Sequence, residues 1–157
     1  MDFYDENMLE WIVRGLKKNN QNEQKIRFEI TETSLAAIGE NHTRMLTHLK
    51  ENGAEILLDD FGSGYSSFGM LQDYDFDILK MDISFVRNIG VNKKSESILR
   101  AIIDMAHQLE IRLVAEGAET EEQVAFLREN GCDYIQGYYY YKPMPEKEFL
   151  QLLDEGK

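Results

Sequence analysis

The stretch Glu55-Ile56-Leu57-Leu58-Asp59-Asp60-Phe61-Gly62-Ser63-Gly64-Tyr65-Ser66-Ser67 decides how the chain is read. An apolar run leads straight into two adjacent acids, and glycines and small hydroxyl residues follow. That order predicts a buried strand ending in a carboxylate pair, then a loop. Two neighbouring carboxylates beside apolar residues cost free energy unless a cation or hydrogen-bond donors neutralise them. A divalent metal with oxygen ligands is the simplest such cation. Acids that cap the loop and face water are the other reading, since acids are common in loops.

Outward from this stretch, the pattern repeats. Ile26-Arg27-Phe28-Glu29-Ile30 reads as a strand before it, closing on Thr31-Glu32-Thr33. Ile78-Leu79-Lys80-Met81-Asp82, Arg112-Leu113-Val114-Ala115-Glu116 and Tyr134-Ile135-Gln136-Gly137-Tyr138 read as strands after it. Between them lie helical periodicities. Residues 3–18 carry Phe3, Leu9, Ile12, Val13 and Leu16 at helical spacing, and a polar run over 17–24 ends that helix. Asn41 is placed to cap a helix with Met45, Leu46 and Leu49 inward, which Gly53 ends. A short helical piece is expected around Phe68–Leu71. Ser95 is expected to start a long helix with Ile98, Leu99, Ile102, Ile103, Ala106 and Leu109 at core positions. Thr120-Glu121-Glu122-Gln123 is a capping box opening a helix through Asn130, and Pro145 suits the first turn of a last helix with Phe149, Leu152 and Leu153. Five short strands alternating with helices predict βα units and a parallel sheet.

Composition bounds the function. The 157 residues suffice for one core and one domain, and 43% hydrophobic with 29% charged residues is the globular range. A formal net charge of −12 disfavours binding to duplex nucleic acid, which needs a basic footprint. A single cysteine, Cys132, allows no internal disulfide and suits a reducing compartment. No apolar run of membrane-spanning length and no leader is visible, so a cytoplasmic chain without membrane contact is expected.

Polar residues fall at strand ends: Glu29, Asp59 with Asp60, Lys80 with Asp82, Glu116 and Gln136, with Glu119 in the loop after Glu116. Parallel strands put these ends on one side, where α/β folds hold their sites. Acids at strand exits can also simply serve helix N-termini, which accounts for Glu119 and Glu32. It does not account for Lys80, because a lysine inside an apolar strand is rarely buried without a partner. Other motifs carry less. Asp60-Phe61-Gly62 lacks the rest of a kinase signature set, and the glycine loop is no nucleophile elbow. His42, His48 and His107 show no metal-binding spacing and read as surface residues. Tyr138–Tyr141 suit base stacking, a site mouth or an interface equally.

Together these segments resemble a family. Phe28-Glu29-Ile30-Thr31-Glu32, Asp59-Asp60-Phe61-Gly62-Ser63-Gly64-Tyr65-Ser66-Ser67, Leu79-Lys80-Met81-Asp82 with Phe85-Val86, Val114-Ala115-Glu116-Gly117-Ala118-Glu119-Thr120 and Gln136-Gly137-Tyr138-Tyr139 with Lys142-Pro143 resemble EAL domains. These are bacterial signalling domains that act as cyclic di-GMP phosphodiesterases. The resemblance implies a modified (β/α)8 TIM-like barrel that hydrolyses cyclic di-GMP to pGpG with Mg²⁺ or Mn²⁺. It implies that Glu29 and Asp59 are metal ligands, that Asp60 serves a second ion, and that Asp82 lines the same site. By the same resemblance Lys80 holds the attacking water, Glu116 acts as base or further metal support, Glu119 and Gln136 complete the pocket, and Glu32 braces the glycine loop. The chain departs from the family's pattern: the Glu-Ala-Leu tripeptide that names it, whose glutamate the resemblance makes a metal ligand, is absent, the family's asparagine ligand on the following strand has no counterpart, and five strands are read where a barrel needs eight. Residues 1–157 are therefore expected to be a truncated EAL domain, its N-terminal strands missing. Such a chain is expected to be weakly active or inactive alone, and to self-associate through exposed strand edges. A non-catalytic cyclic di-GMP-binding or protein-interaction module is the alternative.

Overall fold

The computed structural model describes residues 14–15, 27–36, 41–63 and 67–154. The expected helix over 3–18, the polar run after it, Ile26 and the tip Gly64-Tyr65-Ser66 lie wholly or mostly outside those residues, as does the side chain of Asn41. The described elements are β1 (Arg27–Thr31), α1 (Glu32–Ala36), α2 (Asn41–Glu51), β2 (Glu55–Phe61), α3 (Ser67–Asp73), β3 (Ile78–Met81), α4 (Ile83–Arg87), α5 (Lys93–Gln108), β4 (Arg112–Glu116), α6 (Glu121–Glu129), β5 (Tyr134–Gln136) and α7 (Glu146–Asp154). The five strands form one parallel sheet in sequence order, as the βα alternation predicts. Sequential parallel order brings every strand's C-terminal end to one edge.

Alternation along the strands separates two faces. Ile56 and Leu58, Leu79 and Met81, and Leu113 and Ala115 join Leu46 and Leu49 of α2, Leu99, Ile102 and Ile103 of α5, and Val124 and Leu127 of α6 in one apolar cluster. The residues between them face the other way and include Glu29, Asp59, Lys80 and Glu116.

One irregularity matters. Strand β2 pairs Leu58 with Leu79 but Phe61 with Met81, so it carries one residue more than β3 over that interval. This is a β-bulge, with Asp60 in the left-handed region at φ 57°. Strict alternation would put Phe61 on the face of Asp59. The bulge returns it to the core, where it is buried and meets Phe68 edge-on at 5.6 Å.

Several helix ends differ from expectation. Helix α5 starts at Lys93, because the Asn92 side chain accepts from the N–H groups of Lys94 and Ser95. Ile98 and Leu109, expected in the core, are half exposed, while Leu99, Ile102, Ile103 and Ala106 are buried. Helix α4 was not expected; Asp82 caps it by accepting from the Ser84 N–H at 2.8 Å. The capping box on α6 forms with Thr120 and Gln123 as read. None of the residues of α7 is buried, and Phe149, Leu150 and Leu153 are exposed. Among the described residues no helix is long and apolar enough to cross a membrane.

Two aspartates tie neighbouring strands at their N-terminal ends. Asp77 Oδ2 accepts from the Ile56 N–H, and Asp133 Oδ2 accepts from the Leu113 N–H, each at 2.8 Å. Each acid stands just before a strand and satisfies an orphan donor at the start of its neighbour.

Candidate functional site

The C-terminal edge of the sheet gathers the charged strand residues onto Lys80. Its ammonium lies 2.7 Å from Glu116 Oε1, 3.4 Å from Asp59 Oδ1 and 3.6 Å from Glu29 Oε2. The four residues come from β4, β2, β1 and β3, so the cluster exists only because the sheet is parallel and in this order. Lys80 is 13% exposed at its side chain, Asp59 19% and Glu29 56%. Burial by itself would lower the Lys80 pKa. The hydrogen bond from Lys80 to Glu116 and the negative charges of Glu116, Asp59 and Glu29 outweigh it, so the ammonium is held above its ordinary range. The partner that a buried lysine requires is thus a set of three carboxylates.

The other expected site residues take distinct places. Asp60 is exposed, beside Asp59 on the bulge; its own N–H donates to Asp59 Oδ1 at 2.9 Å. Asp82 is half buried and spends one carboxylate oxygen on capping α4. Gln136 pairs in register with Glu116 on the adjacent strand. Glu119 donates its backbone N–H to Gln123 Oε1 at 2.8 Å, which fixes the loop it stands on. Glu32 opens α1 with its side chain buried, 4% exposed.

Beside Glu116 lies a cavity of about 260 Å³ lined by Ile83, Arg87, Glu116, Glu119, Gln136 and Tyr138. Arg87 was not singled out in sequence, and Tyr138 was read there only as one of several tyrosines that suit a site mouth, base stacking or an interface. Arg87 ends a short helix whose only local signal is Asp82 followed two residues later by Ser84. Nothing in that pattern says which way the guanidinium faces. Tyr138 is exposed, with Lys142 Nζ 5.5 Å from its ring centroid. At the opposite end of the sheet the buried Glu55 receives Arg27 Nε and Arg112 Nη2, each at 2.9 Å. Sequence reasoning missed this ion bridge, because its members are 28 and 57 residues apart.

The donors at the Lys80 cluster are carboxylate oxygens, which suit a hard divalent cation in kind. All three carboxylates lie around the Lys80 ammonium. Among the described residues, no group of three or more His, Cys, Asp or Glu side chains closes to metal-holding distance by itself.

The family model described as the EAL domain matches residues 1–143. The chain is 42% identical over 129 residues to the cyclic di-GMP phosphodiesterase NbdA of Pseudomonas aeruginosa, covering 80% of this chain and 16% of that protein. It superposes on the EAL domain of Mycobacterium smegmatis DcpA with a TM-score of 0.88 and 32% identity, over 99% of this chain and 70% of that one. The manganese and cyclic di-GMP complex of Klebsiella pneumoniae BlrP1 matches with a TM-score of 0.78 and 27% identity, over 87% of this chain and 35% of that one. The chain spans less than a fifth of the length of the curated relatives it first matches. A family match over most of the chain and the superposition on solved EAL domains lead to one conclusion: this chain belongs to the EAL domain family.

Proposed function

We propose that these residues are the C-terminal part of a cyclic di-GMP phosphodiesterase domain, which in its complete form hydrolyses cyclic di-GMP to pGpG. The observation that carries this reading is the Lys80 ammonium focused on Glu116, Asp59 and Glu29 at the C-terminal sheet edge. Phosphodiester hydrolysis needs a water held in line with the scissile bond and positive charge where the oxygens gain negative charge. Lys80 supplies a fixed donor and a positive charge. Glu116, hydrogen-bonded to it, holds that ammonium in place and offers an acceptor for a proton of the water. Glu119 and Gln136, with the cavity beside Glu116, supply acceptor and amide groups for the rest of the ligand. Glu29 and Asp59, with Asp60 next to Asp59 on β2 and Asp82 just after β3, are the residues that would hold Mg²⁺ or Mn²⁺. When bound, such an ion lowers the pKa of water and offsets phosphate charge. The buried Glu32 braces the glycine loop.

The test is equilibrium dialysis of the 157-residue chain against cyclic di-GMP with Mn²⁺, with chromatography of the nucleotide afterwards. Saturable binding that weakens in Glu116→Gln, with little pGpG formed, is expected. No binding by the folded chain overturns the ligand assignment. Turnover matching a complete EAL domain overturns the expectation that this chain alone is weakly active. Binding without any turnover in a chain completed at its N-terminus favours the non-catalytic module instead. Self-association belongs to the same reading. Among the described residues strands β1 and β5 each pair on one side only, and Phe149, Leu150 and Leu153 of α7, the helix after β5, are exposed. Sedimentation is expected to show a species larger than a monomer at high concentration; a stable monomer refutes it.

A further inference from the structure

The contacts of Lys80 are unequal, and the inequality has a consequence for cation binding. Only Glu116, at 2.7 Å, is at charge-assisted hydrogen-bond distance. Asp59 at 3.4 Å and Glu29 at 3.6 Å are held by charge alone. Those are the two acids that the proposed function assigns to a divalent cation, and this inference rests on that assignment. An ammonium and a divalent cation compete for the same oxygens, but the cation draws them in to about 2.0–2.1 Å for Mg²⁺, closer than any of these contacts.

We propose that Lys80 is the internal counter-ion of the cation-free site. Its ammonium holds Glu29 and Asp59 together and surrenders both when a divalent cation binds, while keeping Glu116. Two things follow from the geometry. Three converging carboxylates would repel one another without Lys80, so the lysine stabilises the fold when no cation is present. Lys80 also places a like charge beside an incoming cation and must give up two partners, so it weakens cation affinity. The exchange leaves a Lys80–Glu116 pair next to the cavity lined by Glu116, Glu119 and Gln136, so cation binding and the freeing of Lys80 toward ligand are one event.

The experiment measures Mn²⁺ binding to the full chain by electron paramagnetic resonance and, separately, by melting with and without Mn²⁺. It compares native protein, Lys80→Met, Lys80→Gln and Asp59→Asn. An adjacent charge commonly moves an ionic equilibrium by about 1–3 pKa units, so Lys80→Met is expected to bind Mn²⁺ at least about tenfold more tightly. It is also expected to melt lower than native without Mn²⁺ and to gain more from its addition. Lys80→Gln, which keeps a donor but no charge, is expected to follow Lys80→Met if either variant alone folds poorly. Equal or weaker Mn²⁺ binding in both lysine variants overturns the inference alone, because Lys80 then supports the cation rather than competing with it. Mn²⁺ binding that persists in Asp59→Asn, or that no protein shows, overturns the cation assignment itself.

Discussion

Replacing Gly137 by alanine tests how the mouth of the site is held. A Cβ at Gly137 would run into the backbone of Ala118, lying against its O and N and 2.7 Å from its carbonyl carbon. That neighbour cannot yield as a flexible side chain would. Ala118 is fully buried and doubly tied to the end of β5: its N–H donates to the Gln136 carbonyl at 3.2 Å, and its carbonyl accepts from the Tyr139 N–H at 3.0 Å. Accommodating the methyl means moving the loop between β4 and α6 away from β5. Forcing an extra methyl into a packed site costs about 1–3 kcal/mol. Weakening two hydrogen bonds costs about 0.5–1.5 kcal/mol each. The gain from a less flexible unfolded chain returns about 0.4–1 kcal/mol. A net loss of about 3 kcal/mol is the central expectation, and at about 2–4 °C per kcal/mol for a chain of this size it lowers the melting temperature by roughly 6–12 °C. Scanning calorimetry measures it. Gly69→Ala is the control: nothing lies within 4 Å of its Cβ and it sits inside α3, so it is expected to leave stability unchanged or slightly raised. Gly137→Ala melting within about 1 °C of native would refute the reasoning, since by the same ledger the close backbone approach would carry no cost.

Other outcomes follow from single contacts. Asp133→Ala removes the acceptor of the buried Leu113 N–H and is expected to cost about 1.5–3 kcal/mol in urea denaturation, with Asp133→Asn recovering most of it because its amide oxygen can still accept. Leu79→Ala empties a fully buried position on the central strand and is expected to cost about 2–5 kcal/mol in the same assay. Burial pushes the Cys132 thiol up from 9.0 to about 11, so at mildly alkaline pH its thiolate fraction, and its rate with a disulfide reagent, is expected to be about a hundredfold below that of a model thiol. A raised folded-state pKa gives a contribution that is full below 9.0 and is lost as pH rises through about 11, so stability falls over that window. In Cys132→Ala that part of the fall is expected to vanish. The part from Lys80, present below 10.5 and lost above it, is expected to remain.

Much of this molecule was legible in its sequence, for a local reason. Apolar runs that end in polar residues, alternating with helical periods, specify strands, helices and the parallel order that puts all strand ends on one edge. Lys80 inside an apolar strand announced that it needed partners. The capping box at Thr120 and the helical period through Leu99, Ile102 and Ile103 depend on neighbours three or four residues away, so they too were readable. Tertiary structure alone decided the rest. Pattern does not say where β2 bulges: strict alternation would turn Asp60 into the core and Phe61 out of it, and with two adjacent acids the sequence leaves open which one steps out of line; the pull of the core on Phe61 settles it at Asp60. The choice of Glu116 over Asp59 and Glu29 as the acid nearest Lys80, and the bridge of Glu55 with Arg27 and Arg112, depend on strands brought together across long stretches of chain. Period and propensity act over a turn or a strand, whereas an ion pair is selected by distances that exist only once the sheet has closed.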